Sequence, residues 1–249
     1  MDTACDLLNH DLTVQGMYLI KESDNMSLDK TIRENLDGKY IIIHANHFNE
    51  GIEYARQIQI SQIQLRGILG KESIEVDFQK LEGISETLRF ISFAGHIENI
   101  VNFECIYSLK NIEKIDFQQK QSFTIDISKF NKIVHLGSEY WKGLSNVGHA
   151  YSLESLVIIK LPSINLKLVS GLKKLEILHI YSSKITTLEG IEGLPIKYLS
   201  LAMNRQLEDI KAIMELSVLE RLSIEKCKKI ADTTIIDSLQ HKIKVEIIK

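Results

Sequence analysis

Proline is scarce in this chain, two in 249 residues, and no Gly/Ser- or Pro-rich stretch interrupts it. A flexible linker is therefore not expected; length allows one or two domains, and one continuous body is the expectation. Cysteine is scarce too. Cys5, Cys105 and Cys227 are odd in number, far apart and in no metal-like pair, which excludes a disulfide framework and suits a reducing compartment. Long apolar runs are missing: stretches such as YIII at Tyr40–Ile43 fall far short of the ~20 residues that cross a bilayer. The opening MDTACDLLNHDL carries acids where a secretory signal carries lysines. The expected address is the cytoplasm, with no membrane contact. A basic surplus is also lacking. The net charge of −3 argues against nucleic acid as a direct partner, although the halves differ, −7 over residues 1–130 and +4 over 131–249. Uneven drift of a solvated surface accounts for that split as well as an electrostatic docking device does.

What the chain has in abundance is a period. Residues Leu194–Ile210 read LPIKYLSLAMNRQLEDI, with Leu199 and Leu201 alternating and Asn204 three residues on. Upstream, Leu175, Leu178, Ile180 and Ser183 stand in the same frame; downstream, Leu219, Leu222, Ile224 and Cys227 do. The frame continues through Ile41/Ile43, Ile63/Leu65, Ile91/Phe93, Ile115/Phe117, Leu136/Ser138 and Ile159/Leu161, and closes at Val245/Ile247. Steps between first members run from 19 to 28 residues, and an apolar residue commonly stands three before the first member.

This pattern resembles the leucine-rich repeat, LxxLxLxxNxL, and Ile185–Leu201 is most similar to the roughly 22-residue units of the bacterial internalin-like class. The resemblance spans about residues 38–249. It implies an α/β solenoid: a curved parallel sheet of about ten strands on the concave face, with short helices, turns and some strands on the convex side. The Asn position holds Asn46 and Asn204, but Ile68, His96, Lys120, Trp141, Ser183 and Cys227 elsewhere. The turn bonds supplied by an Asn side chain are thus expected to be missing from several units.

Such units must stack. One buries about five aliphatic side chains, roughly 10 kcal/mol in gross transfer energy, whereas ordering its backbone costs on the order of 20–40 kcal/mol. Only neighbours that bury its remaining faces make it viable. Between strands, Asn49–Ile60 has helical spacing, and Asp232–Leu239 reads as a second helix with Asp232 as cap. SIEVDF (Ser73–Phe78) and SFTIDI (Ser122–Ile127) alternate as short convex strands do. Residues 1–37 fall outside the frame and are expected to form an N-terminal cap, continuous with the repeats as a single domain. Its parts are TVQGMYLI and an amphipathic helix over Ser27–Leu36, with Leu28, Ile32 and Leu36 four apart.

Motifs for chemistry are few. RGILGKES at Arg66–Ser73 lacks the Gly five before Gly70, and Glu72 follows Lys71, so it is not a phosphate loop. His44 and His47 in HANH sit at a strand-to-turn junction with no Cys or carboxylate to complete a metal set. No Ser or Cys stands in a nucleophile motif. No enzyme activity, cofactor or metal is expected.

What remains is the concave face, where the residues flanking and between each apolar pair project. Ten strands at about 4.8 Å make it roughly 45 Å across. The frame places there Tyr40, Arg66, Phe90, Asp116, Glu139, Tyr140, Lys160, His179, Tyr181, Tyr198 and Arg221, together with Ile158 and Pro162. Tyr and Arg anchor protein interfaces, although strand propensity alone explains part of the Tyr content. A protein partner on this face is expected, bound 1:1 by a monomer. Trp141, beside the small Gly137 and Ser138, reads either as a space-filling core residue or, with Tyr140, as an aromatic anchor. A short cytosolic single-domain protein with irregular repeats also resembles the immunity proteins of contact-dependent and other polymorphic toxin systems. That resemblance implies a toxin domain, a nuclease for instance, as the partner, its active site covered by the curved face; a regulatory scaffold or effector on the same repeat is the alternative.

Overall fold

A computed structural model describes residues 27–67, 74–230 and 234–248. An eleven-stranded sheet forms the molecule's backbone. Its strands are β1 (Arg33–Asn35), β2 (Gly38–His44), β3 (Gln62–Arg66), β5 (Phe90–Ala94), β7 (Lys114–Phe117) and β9 (His135–Glu139). It continues through β11 (Ser155–Ile159), β12 (Ile177–Tyr181), β13 (Tyr198–Ala202), β14 (Arg221–Glu225) and β15 (Lys244–Ile248). Sheet order follows chain order, and every pairing except β1–β2 is parallel. This is the α/β solenoid with ten parallel strands that the period predicts. The units return over the convex side through 3₁₀ turns, through irregular chain between β12 and β13, and in the first and last units through the helices α1 (Phe48–Gln57) and α2 (Thr234–Gln240). Among the returns lie the two-residue strands β4 (Val76–Asp77), β6 (Ile100–Val101), β8 (Ile125–Asp126) and β10 (Leu144–Ser145), paired β4–β6 and β8–β10.

The core is one continuous slab, because the paired apolar residues of each strand stack on those of the next. Ile41, Ile63, Ile91, Ile115, Leu136, Leu156, Leu178, Leu199, Leu222 and Val245 form one row across the sheet. An aromatic stack fills its middle. Phe93 lies on Phe117 with centroids 4.7 Å apart, and Trp141 meets Phe117 edge-on at 5.0 Å. Trp141 is buried and its Nε1 donates to the Phe123 carbonyl at 2.9 Å, so it belongs to the core and not to an exposed anchor. Among the described residues β15 pairs only with β14, and its Ile247 is 45% exposed.

Two expectations are corrected. Ser27–Leu36 is not a helix. Residues 27–32 are irregular and β1 runs antiparallel to β2, because the first parallel strand otherwise leaves its edge unpaired. The four-residue spacing makes no buried stripe, since Ile32 and Leu36 are 48% and 64% exposed. Asn35 Oδ1 accepts from the Asp37 amide at 2.9 Å and Gly38 takes φ +114°, which closes the hairpin turn. The second correction is register. In β11 the inward pair is Leu156/Ile158, not Ile159/Leu161: Leu156 aligns with Leu136 and Leu178. Leu161 is buried at the turn position that Asn holds elsewhere. TVQGMYLI, Asp232 and most of RGILGKES lie outside the described residues.

Candidate functional site: the concave face

Three columns of side chains face inward from the parallel strands. The first runs Gln62, Phe90, Lys114, His135, Ser155, Ile177, Tyr198, Arg221, Lys244; the second Gln64, Ser92, Asp116, Gly137, Val157, His179, Ser200, Ser223, Glu246. The third holds Arg66 and Ala94, then Glu139, Ile159, Tyr181, Ala202, Glu225 and Ile248. With the corrected register, Ser155, Val157 and Ile159 replace Ile158 and Pro162 on this face; Ile158 is fully buried. Leu153 stands three before Leu156 as Leu175 does before Leu178, but Leu156 stands equally three before Ile159, so the spacing alone does not choose the frame.

The N-terminal part of this face is partly covered by the chain itself. The β1–β2 turn leans over it: Gln62 Nε2 donates to the Asp37 carbonyl, and the Asp37 carboxylate pairs with Lys114 Nζ on β7. Tyr40, Arg66 and Phe90 lie in this covered part, each partly buried, and Arg66 donates to Gln64 Oε1 at 3.2 Å.

Beyond the turn, the polar groups are bonded to one another. Asp116 Oδ1 stands 3.2 Å from His135 Nε2, and Ser155 Oγ 2.9 Å from His135 Nδ1. A carboxylate only accepts, so in the neutral ring Nε2 carries the proton and Nδ1 accepts from Ser155. Gly137 makes this possible, because the Asp116 carboxylate occupies the space a Cβ there would need. The order Ser155–His135–Asp116 is that of an acyl-transfer triad. However, the Ser155 amide donates to the Val134 carbonyl at 2.9 Å, and β11 is paired on both sides, so its amides offer an oxyanion nothing.

Further along, His179 is 8% exposed and its Nδ1 lies 3.1 Å from the Tyr181 hydroxyl. Burial, then the neighbouring His135 and Arg221, lower its pKa to about 4. Burial also raises the Tyr181 phenol, and the bond from Tyr198 Oη to Glu220 at 3.1 Å raises that of Tyr198. Arg221 is buried and its Nη2 holds Glu246 at 2.8 Å, which keeps that carboxyl below its ordinary value. Lys160 pairs with Glu139 at 3.1 Å. Thus His179 and Arg221, expected as exposed contacts, face the concave side but are buried in it. Tyr140 stands at the rim, partly packed on the core.

That rim is built by the step after each strand. Lys160, Ser182, Met203 and Lys226 all have positive φ, between 49° and 59°. Their amides, like that of Tyr140, donate to the carbonyl of the third concave residue on the next strand, at 2.8–2.9 Å. Behind the rim, the turn position forms a ladder. Asn204, fully buried, accepts from the Ser183 amide at 2.9 Å and donates to the Ile180 carbonyl at 2.8 Å; Ser183 Oγ accepts from the Leu161 amide at 3.0 Å. Gln121, which the sequence frame passed over for Lys120, does the same with a longer side chain, accepting from Ile97 and donating to Gly95. Among the described residues Asn46 does not, since its buried Oδ1 has no hydrogen-bond partner there.

Among the described residues no group of His, Cys, Asp and Glu could hold a metal ion, and no helix is long and apolar enough to cross a membrane.

Comparison with known proteins agrees with this architecture. No family model matches the sequence, and no curated protein is similar to it. Solved structures do match. An internalin from Listeria monocytogenes superposes with a TM-score of 0.51 at 15% identity, over 80% of this chain and 66% of that one. The leucine-rich repeat domain of the type III effector XopL superposes with a TM-score of 0.56 at 16% identity, over 79% of each chain. The fold is a leucine-rich-repeat solenoid of the kind these two proteins share.

Proposed function

We propose that this protein is a non-enzymatic protein-binding module whose concave face, from β9 to β14, grips one protein partner. The observation that carries the reading is the contrast between the two ends of that face. The N-terminal part lies under the β1–β2 turn, whereas beyond it Val157, Ile159, Ile177, Tyr181 and Tyr198 remain partly exposed on a rigid ladder. Aliphatic and aromatic side chains at the centre of a polar surround are what protein interfaces use. A rigid face also loses little conformational freedom on binding.

The narrower role we propose is that of a cytoplasmic immunity protein, a monomer that covers the active site of a toxin domain in a 1:1 complex. It rests on the resemblance of a short chain of irregular repeats to such proteins. Co-expression with a toxin domain encoded beside the gene is expected to give a stable complex and to restore growth. Tyr198→Ala combined with Tyr181→Ala is expected to weaken that complex at least tenfold. Absence of both complex and protection would refute the immunity role, and unchanged affinity of the double variant would move the interface off this face.

A further inference from the structure

Every charged group on the concave columns from β7 to β15 is already ion-paired or, for Asp116, hydrogen-bonded by an imidazole within the chain. Lys114 is held by Asp37, His135 faces Asp116, and Glu139 is held by Lys160 at the rim. Arg221 and Lys244 both hold Glu246, and Lys226 holds Glu225. The residues in left-handed conformation along the rim, a geometry that elsewhere turns amides toward anions, have those amides donating to neighbouring carbonyls. A charged partner docking here must therefore break one pair to make another, an exchange with little net gain, while apolar surface is uncovered at no such cost. That surface has a centre. Ile177 lies between Ser155 and Tyr198 in the first column, Val157 beside His179 in the second, and Ile159 beside Tyr181 in the third.

We infer that the partner presents an uncharged segment with an aliphatic or aromatic side chain at its middle, seated among Val157, Ile159 and Ile177 and flanked by the rings of Tyr181 and Tyr198. This rests on the concave-face reading and deepens it by fixing the partner's chemistry: neither the phosphates of a nucleic acid nor a cationic cleft supplies the contact. Asp116 and Glu139, the acids that a cationic partner would seek, are engaged within the chain.

The test uses a library of random linear dodecapeptides displayed on phage, panned against the full chain and against Ile177→Glu. Ile177→Ser serves as a second variant should the first lose its cooperative melt. Selected peptides are expected to carry uncharged, aliphatic- or aromatic-centred cores and to lose at least tenfold in affinity on either variant. Their binding should change less than twofold between about 0.05 and 0.5 M NaCl, over which the Debye length shortens about threefold. Peptides with charged cores whose binding collapses in salt, yet still depends on Ile177, would overturn the inference and leave the concave site standing. Peptides indifferent to Ile177 but lost on Met214→Lys, on the opposite side, would sink both. Failure to select any peptide that Ile177→Glu weakens also overturns the inference.

Discussion

The carboxylate of Asp116 sits where a side chain on Gly137 would be. The two are directly paired across β7 and β9, and the missing Cβ lets Asp116 reach His135 at 3.2 Å. The glycine is thus part of the polar network.

Gly137→Ala should therefore push aside the Asp116 carboxylate, the movable end of a partly exposed side chain, and cost about 1 kcal/mol through its lost bond to His135. Asp116→Ala empties the same space and removes the same bond, so in that background the alanine at 137 should cost nothing further. Urea denaturation of the four proteins in a double-mutant cycle measures the coupling. Additive costs would show that the carboxylate does not occupy that space in solution.

His179 supplies a pH signature. Its pKa is about 4 in the folded state against 6.5 ordinarily, so the unfolded chain binds a proton that the folded chain refuses. Stability should be full above pH 6.5, fall as pH drops toward 4, and lose no more from this group below that. The shift corresponds to about 3 kcal/mol. Between pH 7 and pH 4.5 the wild type should lose more stability than His179→Gln, by about 2–3 kcal/mol in urea denaturation. Parallel losses in the two proteins would place the imidazole in water.

The period was legible because stacking forces one apolar pair per turn of the solenoid, and nine of the ten pairs fell where the sequence frame placed them. Two things were not legible. In SLVIIKL, Leu156, Ile158, Ile159 and Leu161 offer two apolar pairs three residues apart. Local pattern cannot separate them; alignment with Leu136 and Leu178 does. At the N-terminus the spacing of Leu28, Ile32 and Leu36 mimics a helix, but what decides β1 is the unpaired edge of β2, a non-local demand. Within the candidate site, the columns could be read from alternation. The internal pairing of Asp116, Glu139 and Arg221 could not, because it joins residues some 20 to 25 apart in sequence.

The turn ladder separates two asparagines that the repeat frame treats alike. Asn204→Ala strands the Ser183 amide and the Ile180 carbonyl, both buried, and should cost about 2–4 kcal/mol. Asn46→Ala should cost less than about 1 kcal/mol, because among the described residues its buried Oδ1 bonds to nothing that would be orphaned. Chemical denaturation of the two variants side by side decides this, and equal costs would put Asn46 in the ladder after all.

Register in β11 determines which residues are free to meet a partner, so it merits its own measurement. Leu156 is fully buried between Leu136 and Leu178, and Leu156→Ala should cost about 2–5 kcal/mol through lost burial and an unfilled cavity. Ile159, partly exposed in the third concave column beside Tyr181, has fewer core contacts to lose. Ile159→Ala should cost roughly 1 kcal/mol or less. A three-residue slip would make the two costs similar, because Ile159 would then take the inward place and Leu156 the buried position three before it, as Leu175 stands before Leu178. The ratio of the two destabilisations, read from denaturation midpoints at constant m-value, therefore fixes the frame without coordinates. With it stand Val157 and Ile159 as the surface on which the proposed partner segment rests.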